Sequence, residues 1–118
     1  RLTAEELAER RAEVAGLQVV DVRNQGEIDG TGTIPGAVNI PLPQLVGRLG
    51  ELDPARPTVV FCAGGYRSSI AASTLRAHGF DDVSDLLGGV EQAVTGDLGV
   101  FFGAADHVVL GGFGFWVV

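Results

Sequence analysis

Two short apolar runs rich in β-branched residues do most to limit what this chain can become. "LQVVDVR" begins at Leu17, directly after Gly16, and "TVVFC" begins at Thr58, directly after Pro57. Runs of this length between turn residues read as strands, the first ending near Asp21 and the second buried. Around them lie segments of helical character. Thr3 and Glu6 form a capping-box pattern, with Leu2 and Leu7 spaced as a hydrophobic staple, so a helix is predicted from there to about Val14, stopping at Gly16. Leu42, Leu45, Val46 and Leu49 recur at helical spacing in "LPQLVGRLGEL". A further helix is predicted over Ser69 to Ala77, carrying Ile70, Ala71, Thr74 and Leu75 on one face and ending at Gly79. "AVNIP" and "VSDLLGG" read as two more short strands, and the glycine-rich "NQGEIDGTGTIPG" as a loop. Strands alternating with helices imply right-handed crossovers and a mostly parallel central sheet flanked by helices, an α/β fold.

Length and charge narrow the function. The chain has 118 residues, enough for one domain and a single modest core. Hydrophobic residues make up 46% and charged residues 19%, which excludes a disordered chain. The formal net charge of -7 argues against nucleic acid and anionic membranes as partners. One cysteine cannot form an intrachain disulfide, and it points to a reducing, cytoplasmic compartment. The start, "RLTAEELAERRAEV", is charged and amphipathic rather than a signal peptide. A chain that opens on Arg1 and holds no methionine suggests a segment of a longer protein.

The single thiol, Cys62, stands where "TVVF" ends and "AGGYRSS" begins. Ligands of parallel sheets bind at the carboxyl ends of strands, beside helix N-termini. Asp21, Arg23 and Cys62 all fall at such ends. A cysteine attacks as the thiolate, and three features here favour that form. A helix beginning near Ser68 points its N-terminal dipole at the loop. Gly64 and Gly65 let backbone N–H groups turn inward as an anion nest. Arg67 adds a full positive charge. A lone cysteine at a strand end is by itself most often a small core residue, but a core residue requires none of these neighbours.

The segments "VVDVR", "GTIPGAVNIP", "VVFCAGGYRSSIAASTLRAHGF" and "VSDLLGGV" resemble, in order and spacing, the rhodanese (sulfurtransferase) domain. The resemblance covers about residues 2–100; residues 1–100 are assigned as one domain and residues 101–118 as an apolar tail of unknown role. Its most specific element is Cys-x-x-G-x-R, matched by Cys62, Gly65 and Arg67. The resemblance implies a rhodanese-like fold and a persulfide carried on Cys62. Within the family, "GTIPGA" and "CAGGYRSSIAAS" look most like domains fused behind metallo-β-lactamase-fold hydrolases of the persulfide-dioxygenase type, which would make a fused hydrolase domain a partner. Related phosphatases have a loop one residue longer, Cys-x5-Arg, whereas the Cys-x4-Arg spacing here suits a single transferred sulfur atom.

The mechanism this implies starts with attack of Cys62 on the outer sulfur of a small-molecule donor, a low-molecular-weight persulfide or thiosulfate. Backbone N–H groups from Ala63 through Gly64, Gly65 and Tyr66 to Ser68 stabilise the resulting anion. Arg67 orients the loop or the donor, and a thiol or cyanide-like acceptor removes the sulfur. Neither a metal nor an organic cofactor is required. Asp21 is expected to support the loop. Arg23 is expected either to support it or to touch substrate, and Tyr66 either to line the pocket mouth or to cover the core. Glu27 stands where some thiosulfate-using members carry arginine, which disfavours a dianionic donor. Thr33 replaces a histidine that many members carry, and Val94 a frequent tryptophan. His78 reads as a helix C-terminal cation, and His107 has no assigned role. The run from Val108 to Val118 is too short to span a bilayer as a helix; its readings are an extra strand, a contact with a partner domain, or an end not native to the domain. Two function classes follow: an active sulfurtransferase, or a catalytically idle rhodanese-like module used for binding or regulation. Retention of Cys62 in an intact loop favours the first.

Overall fold

The computed structural model describes residues 1–90, 108–110 and 115–117. Four parallel strands form its sheet: β1 (Gln18–Asp21), β2 (Val38–Asn39), β3 (Thr58–Phe61) and β4 (Val83–Asp85), in the order β2-β1-β3-β4. The α/β reading therefore holds. The chain first adds β2 on one side of β1, then crosses back to add β3 on the other. The strand order thus reverses between β1 and β3, and a crevice opens between their carboxyl ends. Asp21 and Phe61, the last residues of these strands, lie opposite each other in register.

Strand parity assigns the core. Val19, Val59 and Phe61 point to one face, where they pack with Leu2, Leu7, Ile34, Leu86 and Val90. Val20, Val22, Val60 and Cys62 point to the other, against Leu45, Ala71, Leu75 and Phe80. Every residue of β1 and β3 is buried, which explains why both strands read as continuous apolar runs rather than alternating ones. The same parity directs Cys62 to the face covered by helix α3 (Tyr66–Ala77).

Helix α1 (Ala4–Glu13) carries the predicted capping box: the Thr3 hydroxyl accepts from the Glu6 N–H, and the Glu6 carboxylate accepts from the Thr3 N–H. Leu2 and Leu7 are both buried, as the staple requires. Three other segments differ from expectation. "NQGEIDGTGTIPG" contains a helix, α2 (Gln25–Thr31). Gly26 and Gly30 make it intrinsically poor, and it is held instead by specific bonds: Asn24 N–H to the Glu27 carboxylate, Gln25 to Asp29, and the Thr31 hydroxyl to the Glu27 carbonyl. "LPQLVGRLGEL" forms two 3-10 turns, Leu42–Gln44 and Val46–Glu51, with a kink at Arg48, rather than one α-helix. Gly47 and Gly50 weaken the α-helical alternative, while Leu45 and Leu52 are the buried anchors. Helix α3 begins at Tyr66, three residues earlier than predicted, because Gly65 takes a left-handed conformation (φ 104°) that starts it at once.

In the tail, β5 (Val108–Leu110) and β6 (Phe115–Val117) pair antiparallel with each other, not with the four-stranded sheet. Val94, His107 and the rest of residues 101–118 lie outside the described residues, as does the boundary at residue 100. Among the described residues no helix is long and apolar enough to cross a membrane.

Candidate active site

Cys62 follows β3 directly, and its side chain is almost fully enclosed. The sulfur lies 3.1 Å from the Gly65 N–H, 3.4 Å from the Ser68 N–H and 3.5 Å from the Ser68 hydroxyl. Ser68 is itself fully buried, and its hydroxyl lies 3.2 Å from the Gly65 carbonyl that can accept its proton. These groups meet at one point because Gly65 turns the chain left-handed and α3 starts immediately afterwards, leaving its first N–H groups without intrahelical acceptors. Burial pushes the Cys62 pKa up. The Ser68 hydroxyl, then the Ser68, Gly65 and Gly64 amides, outweigh it, and the thiol ends below its ordinary value.

At the sulfur, the hydrogen-bond partners are Gly65 and Ser68, fewer than the run from Ala63 to Ser68 expected from sequence. Tyr66 is 78% exposed, so it does not cover the core. Arg67 does not point an unopposed charge at the thiol. Its two terminal nitrogens grip both carboxylate oxygens of Glu27, at 2.7 and 2.8 Å. Through that bond Arg67 brings the Glu27 pKa down to about 2, while Glu27, ahead of Cys62, raises the pKa of Arg67.

The crevice has a second strand end. Asp21 is fully buried and accepts from the Arg23 N–H, from Arg23 Nε and Nη2, and from the Thr33 hydroxyl. Arg23 uses its remaining capacity on the Thr31 hydroxyl and the Gly32 carbonyl, and its guanidinium lies 5.8 Å from the centre of the Phe61 ring. Asn39 closes the arrangement by donating to the carbonyls of Asp21 and Arg23. Asp21, expected to support the cysteine loop, makes its side-chain bonds to Arg23 and Thr33 instead. Of the two roles open to Arg23, its bonds fit the structural one. Thr33, where a histidine was noted as missing, is part of the same brace. His78 sits at the C-terminus of α3 with its ring against the Thr74 carbonyl.

Gly89 is a site residue that sequence reasoning did not single out. It has φ 61°, and a Cβ there would lie 2.5 Å from the Ala63 carbonyl oxygen. The next residue, Val90, donates its N–H to the Cys62 carbonyl at 2.8 Å. The "GG" after "DLL" thus closes on the back of the cysteine loop. Beside this loop lies a cavity of about 370 Å³ lined by Arg23, Gly26, Glu27, Gly30, Thr31, Ala63 and Val90. Among the described residues, no group of three or more His, Cys, Asp or Glu side chains is placed to hold a metal ion.

Proteins with sulfurtransferase and rhodanese names are among those this chain resembles. A sulfurtransferase of Allochromatium vinosum is 33% identical over 89 residues, covering 75% of this chain and 82% of that protein. The thiosulfate sulfurtransferase GlpE of Shewanella oneidensis is 42% identical over 77 residues, covering 65% and 75%. The crystal structure of a rhodanese-related protein from Thermoplasma volcanium superposes with a TM-score of 0.71 at 29% identity, covering 79% of this chain and 88% of that one. None of these three is a metallo-β-lactamase-fold hydrolase, so the expected fusion gains no support from them. The sequence model of the Rhodanese-like domain matches residues 3–95, and the chain belongs to that family.

Proposed function

We propose that the protein is a sulfurtransferase that carries a sulfane sulfur on Cys62. The observation that supports this most is the convergence of the Gly65 amide, the Ser68 amide and the Ser68 hydroxyl on one buried sulfur. Core packing alone gives no reason to aim three polar groups at a thiol. The same feature weighs against an idle binding module.

In the resting thiol, Cys62 S–H donates to the Ser68 hydroxyl, which donates onward to the Gly65 carbonyl. When the proton leaves, the Ser68 hydroxyl turns its own hydrogen to the sulfur. The thiolate attacks the outer sulfur of a donor R–S–SH. The Cys62 S–S bond forms as the donor S–S bond breaks, giving Cys62–S–SH and R–S⁻. The loop amides stabilise the ionised persulfide. An acceptor thiolate then attacks the outer sulfur and releases Cys62 as thiolate, so no net oxidant or reductant is consumed. Two half-reactions through one covalent intermediate predict ping-pong kinetics. The donor is a low-molecular-weight persulfide or thiosulfate, and the acceptor a thiol or a cyanide-like nucleophile. Arg67, braced by Glu27, holds the loop and the rim. Ala63, Gly64 and Tyr66 lie at the mouth through which the donor's terminal sulfur enters, and the buried Gly65 and Ser68 receive it.

Mass spectrometry of the intact protein after exposure to donor tests the intermediate. The parent gains one sulfur atom, and cyanide removes it. Cys62→Ser gains none and loses transfer by roughly three orders of magnitude or more. A Cys62→Ser protein that keeps substantial transfer rules out the mechanism.

A further inference from the structure

The cavity beside the cysteine loop is not used by the transfer step itself. Ala63, the residue after the nucleophile, forms part of its wall, so it opens next to the place where a donor's second sulfur must lie. Its volume, about 370 Å³, falls in the range of about 300–1,000 Å³ typical of small-molecule sites. Two of its walls are charged residues, and most of their hydrogen-bonding groups are engaged within the protein. All three Arg23 side-chain nitrogens are bonded to Asp21, Thr31 or Gly32. Both Glu27 oxygens are held by Arg67. The Thr31 hydroxyl donates to the Glu27 carbonyl and accepts from Arg23. The other four lining residues, Gly26, Gly30, Ala63 and Val90, carry no polar side chain. A Cβ built on Gly26 or Gly30 meets no atom within 4 Å, so a larger side chain has room at either position.

We infer that this cavity is a subsite for the carbon body of the sulfur compound, and that it selects organic persulfides and thiols with an uncharged, apolar body over inorganic sulfur donors. The inference rests on the proposed sulfur-transfer reading for its substrate class. An alkyl or aryl group removed from water there gains burial energy in proportion to its apolar area. An inorganic donor has no such group and uses the loop alone.

Two measurements separate the subsite from the reaction. The first needs no turnover: an amide NMR titration of the Cys62→Ser protein with benzyl mercaptan. Shifts at the amides of Gly26, Gly30, Ala63 and Val90 are expected, and their absence overturns the subsite even if sulfur transfer is found. The second compares specificity constants for benzyl persulfide and thiosulfate in the parent, in Gly26→Leu and in Gly30→Leu. Both replacements favour helix and have room for a Cβ, so the variants are expected to fold. The ratio of benzyl persulfide to thiosulfate should fall about tenfold or more, the equivalent of roughly two methylenes losing their burial. An unchanged ratio in both variants overturns the inference. Benzyl mercaptan binding at the cavity in a protein that transfers sulfur from neither donor supports the subsite and refutes the sulfurtransferase reading instead.

Discussion

The carboxyl ends of β1 and β3 lie side by side in register, yet they are built for opposite purposes. At the end of β1, Asp21 and Arg23 satisfy each other and their neighbours Thr31, Gly32 and Thr33. These bonds tie the end of β1 to the protein's own interior. At the end of β3, the chain turns left-handed at Gly65 and the polar groups released by that turn face one sulfur atom. The first end is an ion pair in the interior; the second is a set of donors around the enclosed Cys62 sulfur. The comparison teaches that a crevice at a strand-order reversal needs a rigid side and a reactive side. It also implies that substitutions on the two sides will separate stability from activity.

The largest expected effect lies on the rigid side. Asp21→Ala leaves the Arg23 guanidinium buried without its counter-charge, and breaking a buried pair by removing one partner costs about 3–5 kcal/mol. Urea denaturation of this variant beside Cys62→Ser tests the contrast. Cys62→Ser should stay within about 1 kcal/mol of the parent, since volume is nearly conserved. Equal losses would mean that both strand ends are structural and that the division drawn between them is wrong.

Gly89→Ala comes next and couples the two sides. A Cβ at this position would collide with the Ala63 carbonyl, and its φ of 61° is unfavourable for alanine. A stability loss of about 1–3 kcal/mol is expected, together with lower transfer, because the strain falls on the backbone that carries Cys62. A fully active, fully stable Gly89→Ala protein would show that the loop does not depend on this contact.

The reactive side was more legible in the sequence than the elements that frame it. Both β1 and β3 are buried on two faces and therefore announce themselves as apolar runs, and placing Cys62 and Asp21 at their ends follows directly. The Thr3–Glu6 cap is local and equally readable. Helix α2 is not, because a seven-residue helix with two glycines has no periodicity to detect. Its Glu27 is held by Arg67, forty positions away in sequence. The same distance hid the fact that Arg67 is paired, which turned an expected free cation into a brace. Gly89 could be read as a turn residue, but its need for close approach comes from the carbonyls of Cys62 and Ala63. Thr33 was noted for the histidine it replaces, whereas its own hydroxyl bond to Asp21 is visible only in three dimensions.

The thiol's acidity provides a finer test of the reactive side. The Ser68 hydroxyl and the Ser68, Gly65 and Gly64 amides overcome burial and lower the Cys62 pKa. Alkylation by iodoacetamide against pH should therefore show an inflection below the ordinary thiol value of about 8.5. Ser68→Ala removes the leading lowering contribution and should move the inflection upward, with slower alkylation at neutral pH. Because the folded pKa is depressed, the associated stability is present above the unfolded value and is lost as pH falls through the folded one. An inflection that does not move in Ser68→Ala would reduce the hydroxyl to a packing role.

The smallest effect belongs to the rim, where the Glu27–Arg67 pair spans the two sides. Its side chains are about a third exposed, 35% for Glu27 and 32% for Arg67, so solvent screening limits its worth. The Arg67 hydrogen bonds depress the Glu27 pKa to about 2. The sign follows from that depression: the pair's contribution is fully present above the usual carboxylate range and disappears only as pH falls through about 2. Across neutral pH the Glu27 carboxylate therefore stays ionised beside Arg67, and a dianionic donor meets a paired rather than an unopposed guanidinium. In the parent, a low-molecular-weight persulfide should have a higher specificity constant than thiosulfate. Glu27→Gln restores a net positive rim. Thiosulfate turnover should then rise by about two- to fivefold in kcat/KM, the range of an exposed ion pair, while an uncharged persulfide changes little. The gain should shrink as ionic strength rises, because salt screens an exposed cation. A thiosulfate rate that is unchanged by the substitution, or that rises independently of salt, would show that Glu27 acts only by holding α2 in place.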